Sequence, residues 1–168
     1  MNIHILSRKS VDRIVKTRYC RLNNWALISI YNSSGPLDAD QVLESLGCHE
    51  ILSLRFSDIS STQYHSMSKY KNHKKHLVLF SDNHAKQIID FIDRQKDKII
   101  DLVVHCEAGI SRSGAVGLFV CRYLGLDERK YRDDNPEIEP NHYIFNVLYK
   151  VSGMKSNYET LWHKLTSV

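Results

Sequence analysis

Cys106 and Arg112 stand at the two ends of one short stretch, His105-Cys-Glu-Ala-Gly-Ile-Ser-Arg-Ser113. A thiol becomes a strong nucleophile only when it ionises, and a guanidinium is a planar fork suited to two oxygens of an oxyanion. The residues before the stretch, Asp101-Leu-Val-Val-His105, are short, apolar and β-branched, which predicts a buried strand. The residues after it, Ser113 to Leu124, place small and apolar side chains at helical spacing. A tight loop between a strand end and a helix start aims several main-chain N–H groups and the positive helix end at one point. Phosphate fits there, and so does a thiolate. Such surroundings lower a cysteine from about 8.5 to about 3.5–7.5. One loop therefore accounts for the ionisation of Cys106 and for what it attacks.

The pattern His-Cys-x5-Arg-Ser, with Gly109 inside it, resembles the signature loop of the protein tyrosine phosphatase superfamily. Its place about two-thirds along a short chain is similar to that in the dual-specificity phosphatases, whereas the low-molecular-weight class carries its cysteine near the N-terminus. The resemblance implies a cysteinyl-phosphate mechanism with Cys106 as nucleophile, which splits one hard hydrolysis into two easier steps. Arg112 grips two phosphate oxygens and follows them into the transition state, where a lysine would offer only a point charge. Main-chain N–H groups of Glu107, Ala108, Gly109, Ile110 and Ser111 complete the phosphate cradle. Gly109 supplies a positive φ and a close approach of backbone to ligand. Ser113 donates to the sulfur and helps it leave the phospho-enzyme; it is also an acceptable first-turn residue. His105 reads as a hydrogen-bonded residue orienting the cysteine from behind.

The leaving oxygen needs a proton donor, and the resemblance implies an aspartate on a separate loop. Asp58 follows the strand-like run Glu50-Ile-Leu-Ser-Leu-Arg-Phe56, and Asp82 lies in Phe80-Ser-Asp-Asn83 ahead of a helical pattern from Ala85. In the dual-specificity phosphatases the acid follows the strand that ends the first βαβ stretch. Here that stretch is Trp25–Tyr31, Asp38–Leu46 and Ile51–Phe56, so Asp58 is the expected acid. Asp82 is the alternative, and with Ser81 it reads equally as a helix cap or first-turn acid. The gap from Asp58 to Cys106 exceeds the family's usual spacing, which makes Ser60–Leu79 an insertion. Downstream, Pro140-Asn141-x6-Leu148 resembles the Pro-Asn-led helix behind the loop in dual-specificity phosphatases, with Ile144 and then Phe145 where an aromatic is expected. Asn141 either meets the loop or a water, or caps the helix that runs through Tyr149.

The chain of 168 residues fits one domain with a real core, the resemblance being firmest over 25–151. Hydrophobic content of 42% and charged content of 25% are those of an ordinary globular protein, which sets aside disordered and membrane-spanning classes. The first residues lack the apolar core of a signal peptide. Cys20, Cys48, Cys106 and Cys121 form neither a disulfide framework nor a metal spacing, and no histidine pairs with a cysteine at zinc-finger spacing. No metal and no cofactor is expected. A reducing cytoplasm suits a thiolate nucleophile, and Cys121, on the helix after the loop, reads as a core residue. The net charge of +4 is mildly basic, part of it in Lys69–His76, which reads as a solvated loop that could speed capture of anionic substrates.

To position the loop, the chain must alternate strands and helices. Strands are expected near Asn2–Leu6, Trp25–Tyr31, Ile51–Phe56 and Leu102–His105. Helices are expected at Arg8–Lys16, Asp38–Leu46, Ser61–Tyr70, Ala85–Lys96, Ser113–Leu124, Leu126–Tyr131, Asn141–Val151 and Tyr158–Leu165. That alternation predicts an α/β fold, a single domain with a central, mainly parallel sheet and helices on both faces. The loop then lies at a strand's C-terminal end, where such sheets bind ligands. The expected substrate is a phosphorylated protein, with phosphotyrosine first and phosphoserine or phosphothreonine after it. Loop interiors of phosphoinositide phosphatases often carry lysines, and here Glu107, Ala108, Ile110 and Ser111 stand there instead. An RNA 5′-triphosphatase, a phosphoinositide phosphatase of the same superfamily and a non-catalytic phosphate-binding adaptor remain as alternatives, with nucleic acid and membrane disfavoured as partners.

Overall fold

The structure is a computed structural model and describes residues 1–32, 35–67 and 77–154. Its strands are β1 (Asn2–Ser7), β2 (Trp25–Tyr31), β3 (Cys48–Arg55) and β4 (Asp101–Cys106). Its helices are α1 (Arg8–Thr17), α2 (Asp40–Ser45), α3 (Ser61–Met67), α4 (Asp82–Gln95), α5 (Arg112–Tyr123), α6 (Glu128–Asp134) and α7 (His142–Ser152). The strands form one sheet in the order β1-β4-β2-β3, parallel throughout.

Central strands of a parallel sheet are covered on both faces and so read as continuous apolar runs. β2 and β4 do so, and every residue of β4 is buried. Side chains alternate across the sheet. Ala26, Ile28, Ile30, Leu102 and Val104 join the core under α4, α5 and α7, whereas Trp25, Leu27 and Val103 join the core under α1 and α2. The two polar interruptions, Ser29 and His105, are register partners and meet each other, His105 Nε2 lying 2.8 Å from Ser29 Oγ. α5 is buried over most of its length. A Cβ at Gly117 would lie 2.6 Å from both Ile5 Cδ1 and Tyr131 Oη, so its absence lets α5 sit directly on β1. That contact fixes the axis whose first residue is Arg112. The free edge of β1 is closed by one side chain: Asn135 Oδ1 accepts from Ile5 N at 2.9 Å, and Asn135 Nδ2 donates to Ile3 O at 3.2 Å.

The single-domain α/β architecture with helices on both faces of a parallel sheet is the one expected, and β2 has the expected bounds. Other boundaries move for local reasons. β3 starts at Cys48 rather than Ile51, because its pairing with β2 begins at Trp25↔Cys48. α4 starts at Asp82 rather than Ala85, because Ser81 and His84 form a reciprocal capping box. α6 runs Glu128–Asp134 rather than Leu126–Tyr131, because the Asp127 carboxylate accepts from Arg129 N and Lys130 N and sets the first turn there. α2 starts at Asp40 rather than Asp38. The helix expected at 158–165, the run 69–76 and the end of the helix expected at 61–70 lie outside the described residues. No helix among the described residues is long and apolar enough to cross a membrane.

Candidate active site

β4 ends at Cys106 and α5 begins at Arg112, so the segment between them crosses the C-terminal end of the sheet. Cys106 is 2% exposed. Its Sγ accepts from Gly109 N at 3.3 Å and lies 3.1 Å from Ser113 Oγ. Burial alone would push this thiol up. Against it act the Ser113 hydroxyl and the main-chain N–H groups of Ser113, Ile110 and Gly109, and the balance leaves the thiol below its ordinary value. The other buried cysteines go the opposite way: burial takes Cys48 up to about 12 and also raises Cys121. A buried environment with aimed donors thus separates one cysteine from its neighbours.

Behind the sulfur, burial holds the His105 imidazole down at about 4. It is neutral near pH 7, with Nδ1 3.4 Å from the Cys106 carbonyl and Nε2 against Ser29. Its side chain is fully buried, with a protein group beside each ring nitrogen.

Arg112 is 4% exposed and donates from Nη1 to the Phe56 carbonyl at 3.0 Å. Its Nε is buried with no hydrogen-bond partner among the described residues. An unpaired buried donor costs about 1–3 kcal/mol, and an oxyanion seated in the loop would relieve it.

The loop is braced on two further sides. Glu107 O accepts from Arg8 N at 3.1 Å, and a Cβ on Gly109 (φ +76°) would lie 2.7 Å from both Leu6 C and Ser7 N. The glycine is required, and the close approach it allows is to the end of β1. On the other flank, Ile110 O accepts from Glu139 N at 3.3 Å and Ser111 O from Asn141 N at 3.2 Å.

The structure brings Asp58 to the loop and leaves Asp82 away from it. Asp58 Oδ1 accepts from Ser111 Oγ at 2.8 Å and from Asn141 Nδ2 at 2.8 Å. Its loop is held to the segment before α4, with Ser57 N donating to Val78 O at 2.7 Å and Val78 N to Ser57 Oγ at 3.1 Å. Asp82 sits in the first turn of α4 and pairs with Lys150 at 3.1 Å. Beside Ser111, a cavity of about 470 Å³ opens between Ser60 and Gln63 on one side and Glu139–Tyr143 on the other. A larger cavity of about 800 Å³, lined by Leu118, Phe145 and Tyr149, has no loop residue in its wall. Among the described residues, no group of three or more His, Cys, Asp and Glu side chains is arranged to hold a metal ion.

Sequence reasoning did not single out Ser29, Arg8 or the Leu6–Ser7 backbone as parts of this site. No local signal marks them, because each acts through a partner distant in the chain. Asn141 turns out to do both things its position suggested, capping α7 and meeting the site.

No protein-family model and no curated protein sequence matches the chain. Solved structures do. The crystal structure of Tk-PTP in the active form is similar with a TM-score of 0.56 at 17% identity, covering 92% of this chain and 94% of that one. Human DUSP28 gives 0.54 at 15% identity, covering 90% and 91%. PTPMT1 in complex with PI(5)P gives 0.51 at 12% identity, covering 90% of each chain. The chain has the fold of the dual-specificity-like protein tyrosine phosphatases.

Proposed function

We propose that this chain is a cysteine-dependent phosphate monoester hydrolase, acting on phosphotyrosine and then on phosphoserine or phosphothreonine in proteins, in a reducing cytoplasm. One observation carries the reading: an ionisable sulfur held by Ser113 Oγ and Gly109 N, next to a buried arginine with an unpaired Nε. The fold shared with known phosphatases supports it.

The phosphoryl group docks on the loop amides of residues 107–111, with two oxygens on Arg112. The Cys106 thiolate attacks phosphorus, the bond to the ester oxygen breaks, and Asp58 gives that oxygen its proton. In the second step water attacks phosphorus and Asp58 takes the water proton. The sulfur–phosphorus bond breaks, and the Ser113 hydroxyl donates to the departing thiolate. Preorganised N–H groups and a guanidinium stabilise the charge on the equatorial oxygens in both steps. No lysine stands between Cys106 and Arg112, which favours a single phosphate over an inositol headgroup or an RNA triphosphate end.

The test is turnover of 4-nitrophenyl phosphate, a phosphotyrosine peptide, a phosphoserine peptide, phosphoinositides and 5′-triphosphorylated RNA by wild type and Cys106→Ser. The expected result is phosphate release from the aryl phosphates that Cys106→Ser abolishes. Binding of phosphopeptide with no release by wild type would make the protein an adaptor, and preference for RNA or phosphoinositide would overturn the substrate class.

A further inference from the structure

The Asn141 side chain is used at both ends. Its Oδ1 accepts from Tyr143 N at 3.0 Å and Ile144 N at 3.2 Å, which caps α7. Its Nδ2 donates to Asp58 Oδ1 at 2.8 Å. Its own main-chain N–H donates to the Ser111 carbonyl at 3.2 Å, so the cap is also tied to the phosphate loop. A cap needs only the acceptor, and serine or aspartate provides one as well as asparagine does. The donor end is surplus to capping, and it is spent on the carboxylate.

Ser111 Oγ donates to the same oxygen of Asp58. With two donors on Oδ1, the proton of the neutral acid belongs on Oδ2. Asp58 itself is exposed on a connecting loop, where an unheld side chain would sample several rotamers. Holding a reacting group in one geometry removes entropy from the barrier in advance.

We infer that Asn141 is the positioning residue of the general acid: with Ser111 it pins Asp58 Oδ1, so that Oδ2 delivers the proton to the leaving oxygen. The inference rests on the phosphatase reading, with Asp58 as the acid.

The test uses Asn141→Ser, which keeps the cap but is too short to reach Asp58, in wild-type and Asp58→Ala backgrounds. Two substrates divide the effects: phenyl phosphate, whose leaving group needs a proton, and 4-nitrophenyl phosphate, whose leaving group needs little. Thermal unfolding is followed alongside. Asn141→Ser is expected to lower kcat on phenyl phosphate about tenfold, a barrier change of about 1.4 kcal/mol. On 4-nitrophenyl phosphate the change stays within about twofold, the melting temperature holds, and in Asp58→Ala the substitution costs nothing further. Equal losses on both substrates, an undiminished loss in Asp58→Ala, or no loss on phenyl phosphate would each overturn the inference. If Asp58→Ala itself fails to discriminate between the substrates, the acid is another residue and the inference goes with it. If wild type turns over neither substrate, the phosphatase reading has failed first.

Discussion

Replacing Gly109 by alanine sets a Cβ 2.7 Å from Leu6 C and Ser7 N and 2.8 Å from Leu6 O, at a residue with φ of +76°. Both penalties fall on backbone that cannot step aside. Ser7 pairs with Cys106 at the end of the sheet, and Arg8 N donates to Glu107 O. The left-handed conformation costs a non-glycine residue about 1–2 kcal/mol, and forcing atoms into a packed site costs about 1–3 kcal/mol. If the loop keeps its shape, the protein loses about 2–5 kcal/mol, and for this size each kcal/mol is about 2–4 °C in melting temperature. If the loop yields instead, Gly109 N leaves Cys106 Sγ. A hydrogen bond to a charged group is worth about 1.5–3 kcal/mol, or about one to two units of thiol pKa at 1.36 kcal/mol each. The assay pairs thermal unfolding with the pH dependence of iodoacetamide alkylation. Cys20→Ser serves as the background, because Cys48 and Cys121 are buried thiols pushed upward and stay protonated below neutrality. The expected outcome is a melting temperature lower by several degrees, an alkylation midpoint moved up, or both in shares that total about 2–5 kcal/mol. A Gly109→Ala protein with both quantities unchanged would refute the account of how β1 shapes the loop.

Ser113→Ala removes the hydroxyl 3.1 Å from the sulfur. Thiolate departure in the second step should slow about tenfold or more, seen as a stoichiometric burst of 4-nitrophenol before a slower steady state; unchanged kcat without a burst counts against the role. Arg112→Lys keeps the charge but loses the fork and the 3.0 Å bond to Phe56 O. It should lower kcat/KM about a hundredfold or more and weaken vanadate inhibition, and activity within about tenfold of wild type would contradict it. Burial holds His105 at about 4 in the fold, against an ordinary value of 6.5. The unfolded chain therefore binds the extra proton first as pH falls. The stability this residue provides is full above about 6.5, declines as pH drops towards 4, and amounts to at most about 3 kcal/mol. Unfolding of wild type between pH 7 and 4.5 should show this slope and His105→Gln a shallower one; parallel slopes would refute it. Asn135→Ala removes the side chain that fills the β1 edge. It should destabilise by about 1–3 kcal/mol in denaturant titration without moving the alkylation midpoint of Cys106.

What the sequence made legible is what its local physics determines. A continuous apolar run between polar flanks marked β2 and β4, because a strand covered on both faces has no solvent side to encode. Small and apolar residues after Ser113 marked α5, since a helix buried over most of its length needs them. The element starts that moved were decided by single capping groups. Asp127 fixes α6 by accepting two N–H groups, and His84, an unusual residue to close a capping box, fixes α4 by accepting from Ser81 N at 3.1 Å. The first could be read from an aspartate ahead of a polar helix, whereas no propensity marks the second. β3 begins at Cys48 because Trp25 lies opposite it, a fact of pairing and not of its own residues.

The site divides along the same line. Cys106, Gly109, Arg112 and Ser113 belong to one contiguous stretch of eight residues, and the chemistry proposed for them follows from their types and spacing. The proposed acid does not, because its placement is a tertiary result: Asp58 meets Ser111 across 53 positions and Asn141 across 83. Those two bonds make the acid's address a property of the phosphate loop rather than of the loop that carries it. Arg112 reaches the Phe56 carbonyl just before Asp58, while Ser111 and Asn141 hold the carboxylate itself. The side chain proposed to bind phosphate and the side chains that hold the proposed proton donor are therefore tied to one another through the segments 56–58 and 111–112. The loop between β4 and α5 is seated on β1 through Gly109 and on α7 through the Ser111 carbonyl. With these contacts the 48 positions between Asp58 and Cys106 in the chain do not set the distance between the two proposed reacting groups. Ser57, just before the expected insertion, and Val78, near its end, are held to each other by two hydrogen bonds.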